Sequence, residues 1–338
     1  MKIKKSNIRD VASRAGVSIA TVSRILNGEG SFNRDTILGV EKAVAELDYR
    51  RSTGSLQKGR ADTLTIALSI SDFDLLDPLY WDLVKGIYDT VALHSCAISL
   101  HVFKGRSDTG AGLAEDFRRA GAAGVIFVPY AHTAPDALSD AGPGIPVVFL
   151  DRTLPGRMES SVVAENELGG YQAARYLIQL GHRSLLYMGG LSALSTERDR
   201  RRGFMKALAE SGLSCEPGNL LEGGFELHLA RQAMRERLGK ERNFSAIFAS
   251  NDVMAFGVKE ALDEAGLRVP EDLSLVGYDN IPYAAALGLT TISQPSYDMG
   301  MSALLLLLDH IQGRQEGPRQ RRLSPSLLIR RTCGRAAV

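Results

Sequence analysis

The chain has 338 residues, 44% hydrophobic and 23% charged, the balance of an ordinary soluble globular protein of two or three domains whose cores need no covalent staples. Its net charge of +1 is unevenly spread: residues 1–60 hold twelve basic and six acidic residues, +6, which leaves −5 for the rest and gives the head the character of a polyanion-binding module. Cys96, Cys215 and Cys333 are too scattered for a disulfide framework or a metal pair, the basic start "MKIKKSNIRD" lacks the apolar stretch of a secretory signal, and the longest apolar run, "ALLLLL" at 303–308, is too short to span a bilayer. A cytoplasmic protein with no membrane partner is expected, with that run as one buried helix.

The first predicted helix places Ile8, Val11, Ala12 and Ala15 on one face and ends at Gly16, where a positive φ costs little. Ser18 is placed to cap a second helix, with Val22, Ile25 and Leu26 inward and Ala20, Ser23, Arg24 and Asn27 outward. A third begins after Asn33, with Asp35 in its first turn and Ile37, Val40, Val44 and Leu47 as its inner face. Three short helices with a glycine turn between the first two describe a helix-turn-helix unit. Its second helix can enter the major groove of duplex DNA. Small outward residues let the backbone approach, Arg24 reaches base edges, and Ser18, Thr21 and Ser23 can bond phosphates or bases. The competing reading, a solvated basic tail, fits a charge run better than it fits this helical pattern.

From about residue 62, short apolar runs alternate with amphipathic helices: "TLTIALSI", "AISLHVF", "GVIFV", "PVVFL", "SLLYMGG", "AIFAS" and "LSLVGY". The alternation predicts parallel sheets covered by helices on both faces, and the pattern restarts near 165, so two similar doubly wound α/β subdomains are expected.

The segments "IRDVASRAGVSIATVSRILN", "NELGGYQAARYLIQLGHRSLLYMGG", "RRRGFMKAL", "AIFASNDVMAFGVKEALDEAGLRVPEDLSLVGYDN" and "LTTISQPSYDMG" carry a resemblance to the LacI/GalR family of bacterial transcription repressors over nearly the whole chain. The resemblance implies a dimer on a pseudo-palindromic DNA operator. It also implies a small effector, usually a sugar, between two subdomains like those of periplasmic binding proteins. Ile19, Ala20 and Arg24 match the family's base-reading positions, Thr21, Ser23 and Asn27 its backbone- or base-contacting ones, and Tyr49 the aromatic that closes the head. The implied division is 1–50 for the head, 51–61 for a hinge, 62–163 with 292–323 for one subdomain and 164–291 with 324–338 for the other. The hinge "YRRSTGSLQKGR" departs from the family. Leu56 aligns with a leucine that wedges into the minor groove, but two residues and the usual proline are missing. Gly54 would also cost a hinge helix about 1 kcal/mol relative to alanine. Leu56 as a plain linker residue stays open.

In open α/β sheets ligands sit beyond the carboxyl ends of strands. "PVVFL" is followed by Asp151, "AIFAS" by Asn251 and "LSLVGY" by Asp279, short polar groups that suit a polyhydroxyl ligand. By resemblance these three match effector-contacting positions, as do Arg200, three residues before Gly203, and Phe225 in "EGGF". Tyr80, near the start of a helix opened by Asp77 and Pro78, would line the same cleft. Taken singly, Asp151 or Asp279 could cap a turn, Arg200 could belong to a solvated basic face and Phe225 to the core. Glu165 stands where relatives commonly have aspartate. The acidic stretch "SISDFDLLDP" lacks calcium-loop spacing and is expected as a loop on the cleft rim.

No nucleotide fingerprint or P-loop is present, the six histidines show no metal pairing, and S-x-x-K at 55–58 has no partner motif. No enzyme, cofactor or metal is expected. The competing classes are a sugar-modifying enzyme and a cytosolic sugar-binding protein.

Overall fold

A computed structural model describes residues 8–18, 21, 22, 25, 34–47, 63–104, 113–130, 145–154, 159–240 and 242–336. The chain divides into two units, residues 1–63 and 64–338.

In the first unit, helix Ile8–Ala15 packs on helix Arg34–Glu46, and residues 21, 22 and 25 between them are helical. Val11, Ala12, Val22, Val40 and Ala43 are buried together, with Ile25, Val44 and Leu47 packed against them. Gly16 has φ 67°, and the Val17 amide donates back to the Ala12 carbonyl at 3.1 Å to close the turn. Ser18 caps the next helix: its Oγ accepts from the Thr21 amide at 3.0 Å. An exposed Arg14–Glu46 pair at 2.5 Å joins the two long helices and adds little in water. Ile19, Ala20, Ser23, Arg24, Leu26, Asn27, Tyr49, Gly54, Leu56 and the hinge at 51–61 lie outside the described residues, as do the side chains of Ile8 and Ile37.

The second unit holds two six-stranded sheets. The first runs in the order β11–β5–β4–β3–β1–β2, with β1 Leu64–Ser71, β2 Cys96–Phe103, β3 Gly124–Phe127, β4 Val147–Leu150, β5 Ser160–Ala164 and β11 Gln320–Leu323. The second runs β12–β10–β9–β8–β6–β7, with β6 Leu185–Gly189, β7 Leu220–Glu222, β8 Ala246–Ala249, β9 Ser274–Asp279, β10 Thr290–Ser293 and β12 Ser326–Leu328. Apart from β12, antiparallel to β10, every pairing is parallel, and β1–β5 and β6–β10 follow the same winding. The β3, β4, β6, β8 and β9 residues are almost all buried because helices cover both sheet faces.

Three segments cross between the sheets, around 165, 294 and 324. The second crossing follows Ser293, slightly beyond the boundary expected at 292. It leads into helix Ser296–Ile311, where Ala303, Leu304, Leu306, Leu307 and Leu308 are buried beneath the first sheet. The "ALLLLL" run is thus one buried helix, and among the described residues no helix is long and apolar enough to cross a membrane. At the other crossings, Glu165 accepts a hydrogen bond from Ser324 Oγ and donates its amide to the Leu323 carbonyl at 2.9 Å.

The acidic stretch after β1 departs from the expected loop. β1 continues through Ser71, and Asp72–Leu76 forms a short helix capped by Ser71, whose Oγ accepts from the Asp74 amide at 2.9 Å. Asp72 and Asp74 occupy its first turn, where carboxylates favour a helix start.

Helices Asn166–Gln179 and Ser195–Glu210 touch backbone to backbone at two glycines. A Cβ on Gly203 would stand 1.9 Å from the Glu167 carbonyl, and one on Gly170 2.0 Å from the Arg200 carbonyl. Gly203→Ala should force the helices apart and cost about 1–3 kcal/mol. The measurement is a lowered urea midpoint at unchanged slope; an unchanged midpoint would show that the crossing tolerates a side chain.

Candidate functional site

The carboxyl ends of the two parallel sheets face each other across the body. Asp151 follows β4, Asp279 ends β9, Asn251 lies two residues beyond β8, Arg200 comes from helix Ser195–Glu210, and Phe225 from the turn after β7. All five line one cleft. Tyr80 is buried one layer behind, donating its hydroxyl to Asp151 Oδ2 at 2.8 Å. Among the described residues four non-glycines have positive φ: Asp151 at 67°, Phe225 at 63°, Asp279 at 109° and Asn280 at 59°. Three of the four belong to the set expected from sequence. Such conformations cost on the order of 1 kcal/mol or more and persist where surrounding structure over-determines them.

Burial makes each charge here dependent on its partners. Asp74 holds Arg152 through two bonds, at 2.8 and 2.9 Å, and Arg152 lies between the Tyr80 and Tyr130 rings with Nε 3.2 Å from Asp151 Oδ2. Arg200 donates from Nε to Asn166 Oδ1 at 2.8 Å and from a terminal nitrogen to the Ser250 carbonyl at 2.5 Å. Its other terminal nitrogen is 3.4 Å from Asp279 Oδ1, and its plane lies 3.8 Å over the Tyr278 ring. Asp279 also accepts from Gln294 Nε2 at 2.7 Å. Asp252 pins the turn after Asp279, accepting from the Ile281 amide at 2.9 Å and from Thr291 Oγ1 at 2.6 Å. Burial pushes the Asp279 carboxyl well above the usual range, Asp77 up to about 6 and Asp252 up to about 7.

The space left at the centre is about 20 Å³, room for about one water. Phe73 and Phe225 are the aromatic residues of its lining, and small-molecule sites usually measure about 300 Å³ or more, so admitting a sugar-sized ligand requires the lobes to part. Parting them breaks the bond from the Thr153 amide to Ser195 Oγ, 3.1 Å long, and the packing of Phe73 and Leu191, each of which touches the cores of both lobes.

A periplasmic binding protein-like domain model matches residues 174–333, and the model for bacterial regulatory proteins of the lacI family matches residues 7–52. The HTH-type transcriptional repressor PurR of Pectobacterium carotovorum is 32% identical over 97% of this chain and 96% of its own length. The chain belongs to the lacI family. The repressor also resembles the solved transcriptional regulator CelR–cellobiose complex, at 28% identity with a TM-score of 0.73 over 97% of this chain and 99% of that one. It resembles the lac repressor dimer bound to operator and the anti-inducer ONPF at 26% identity, with a TM-score of 0.74 over 98% and 100% of the two chains. It is a DNA-binding transcriptional repressor whose two-lobed body takes a small-molecule effector.

Around this cleft the structure adds partners that the sequence reading passed over. Arg152 is adjacent to Asp151 in "LDR", Gln294 holds Asp279 from the second crossing, and Phe73, Asp77, Leu79 and Thr196 complete the lining. Phe73 and Asp77 lie in "SISDFDLLDP", the stretch expected on the cleft rim, and Gln294 in "LTTISQPSYDMG"; Arg152 and Thr196 were signalled only by their proximity to Asp151 and Arg200. Asn251 combines both readings considered for such residues: it lines the cleft, and its Oδ1 caps helix Asp252–Glu264 by accepting from the Met254 amide at 2.8 Å. Phe225 likewise lines the cleft while packing in the second lobe's core. Glu165 is not among the lining residues. Among the described residues no cluster of histidine, cysteine, aspartate and glutamate could hold a metal ion.

An acid whose pKa rises on folding binds more protons in the folded chain than in the unfolded one, so ionising it lowers stability. For Asp252 the loss accrues as pH rises from 3.8 to about 7. Across that range the urea midpoint of the Asp252→Asn repressor should fall less steeply than that of the parent; parallel curves would remove Asp252 from the titration.

Proposed function

We propose that the repressor binds a pseudo-palindromic operator as a homodimer through residues 1–50, with 51–61 as the hinge, and that a carbohydrate or sugar derivative held between the lobes sets its affinity for DNA. The lobes are 62–163 with 292–323 and 164–291 with 324–338. The observation that carries the effector reading is the convergence of Asp151, Arg200, Phe225, Asn251 and Asp279, from five separate segments, on one cleft. Tyr80 orients Asp151 from behind. Cellobiose in the CelR complex and ribose in a LacI-family regulator from Enterococcus faecium, 27% identical with a TM-score of 0.71, support a sugar as the ligand class.

Base reading falls to Ile19, Ala20 and Arg24, with Ser18, Thr21, Ser23 and Asn27 on the backbone or neighbouring bases and Leu56 as a minor-groove wedge. The capped start of the second helix, at Ser18 and Thr21, supports the placement of this surface. A homodimer is supported by the lac repressor dimer and by the edge strand β2, which exposes Leu100 and Val102. The protein is cytoplasmic, acts by binding and catalyses no reaction; its family of regulatory proteins supports this. The ligand bridges both lobes, favours one closure angle and releases the head from DNA, for which a coupling of about 1–3 kcal/mol suffices.

Replacing Arg24 by alanine should cost about 1–3 kcal/mol at one base pair of each half-site in a fluorescence-anisotropy titration. Unchanged sequence preference would take Arg24 out of base readout. The test of the effector cleft is Asp279→Ala, which should leave operator affinity intact and abolish its response to ligand. A normal ligand response in this variant counts against the cleft. Sugar turnover by the purified protein without any operator shift would favour the enzyme reading instead.

A further inference from the structure

Two cations, Arg152 and Arg200, stand among the described lining residues of the cleft. An open guanidinium fork is the usual means of holding a carboxylate or phosphate, and here neither fork is open. Arg152 gives one terminal nitrogen to Asp74 Oδ2 at 2.9 Å and the other to Asp74 Oδ1 at 2.8 Å, and the first also donates to the Pro129 carbonyl at 3.2 Å. Arg200 gives Nε to Asn166 and one terminal nitrogen to the Ser250 carbonyl, and its other terminal nitrogen lies 3.4 Å from Asp279 Oδ1.

Asp74 itself is not among the lining residues. It is 1% exposed, on helix Asp72–Leu76, and Ser71 holds it twice: the Asp74 amide donates to Ser71 Oγ, which in turn donates to Oδ2 at 2.7 Å. Arg152 is fixed as firmly, buried with its guanidinium carbon 5.9 and 5.8 Å from the centres of the Tyr80 and Tyr130 rings. Turning the fork toward the cleft would break two charge-assisted bonds inside the protein. Stability alone does not call for such a pair, because apolar residues of similar volume usually serve a core as well or better. The N–H that Arg152 keeps is Nε, buried without a hydrogen-bond partner 3.2 Å from Asp151 Oδ2, and Asp151 Oδ1 is likewise buried and unpartnered. An anionic oxygen brought to that N–H meets the Asp151 carboxylate, whereas a hydroxyl can accept from Nε and donate to Oδ1. The other charged residues of the lining, Asp77 and Asp279, are acids as well.

We propose, resting on the cleft as the effector site, that Asp74 determines which charge of effector the repressor accepts. By occupying the fork of Arg152 it reserves the cleft for uncharged polyols and turns away the sugar acids and sugar phosphates that a free guanidinium would draw. Asp74 touches no ligand; it is a positioning residue that acts through Arg152.

The test follows the thermal midpoint of the full-length repressor against sodium phosphate, with sodium chloride at matched ionic strength as the reference, since binding to the native state raises the midpoint. The parent is compared with Asp74→Asn and with Asp74→Asn/Arg152→Gln. Loss of the Asp74 charge lowers the starting midpoint whatever its role, so the readout is the dependence on phosphate, which a merely structural pair does not move. Asp74→Asn should bind phosphate about tenfold more tightly than the parent, the effect of hydrogen bonds made to a charged group, and the gain should vanish in the double variant, which has no guanidinium at 152. Phosphate bound elsewhere on the chain is common to all three proteins and cancels. Equal phosphate dependence in the parent and Asp74→Asn, or a gain that survives the loss of Arg152, would overturn the assignment. A second measurement uses the parent alone and does not depend on either variant folding. D-ribose and D-glucose are compared with their terminal phosphate esters and with D-glucuronate for release of the repressor from operator at matched ionic strength. Release by an uncharged sugar alone supports the assignment, and release by an ester or by the acid overturns it. Failure of the assignment leaves the response of operator affinity to ligand still dependent on Asp279, whereas failure of the effector reading shows as a response indifferent to Asp279→Ala.

Discussion

A carboxylate taken out of water must be given donors or give up its charge. The body of this repressor buries Asp74, Asp151, Asp252 and Asp279 around the meeting point of its two sheets, and each is held by groups from other parts of the chain. Asp74 has Arg152, Asp151 has Tyr80, Asp279 has Gln294 and Arg200, and Asp252 has Thr291 and the Ile281 amide. These pairings join strand ends to helix starts and to a crossing segment. The buried charges add little net stability by themselves; their effect is to hold the strand ends in a defined arrangement.

That arrangement accounts for the strained backbone. Asp151, Phe225 and Asp279 take positive φ at the points where the chain turns from a strand end into the cleft. Close approach tightens the same region. Gly277 has no side chain because a Cβ there would lie 2.2 Å from Asp252 Oδ1, and Gly190 faces the Phe225 ring at a similar distance, 2.2 Å. A site built this way is pre-organised within each lobe. The lobes meet at the three crossings and at contacts such as those of Phe73, Leu191 and Ser195. An effector changes the closure of such a body only by its difference in affinity for the open and closed forms, so contacts to both lobes are what give it leverage.

Much of this was legible in the residues. The apolar runs marked seven of the twelve strands among the described residues, most of them buried parallel strands, which are written as continuous hydrophobic segments. The strands that the runs did not mark include β7, β11 and β12, where "LLE", "QRRL" and "SLL" are short and partly exposed. Their strand character comes from the neighbours that pair with them. The acidic stretch after β1 was mistaken for a loop since five helical residues are too few to show a period, and its cap at Ser71 becomes visible only with the bond to the Asp74 amide.

By itself, then, the sequence determined the kinds of element, the head's three-helix pattern, the repeated winding of the body and the polar residues at strand ends, because periodicity, caps and strand-end chemistry are local properties. Tertiary structure alone decided which donors meet which carboxylates, that Arg152 and Gln294 share in the site, and how little room lies between the lobes. Those are long-range outcomes: Asp74 and Arg152 are 78 residues apart, and only the folded sheets bring them within 2.8 Å.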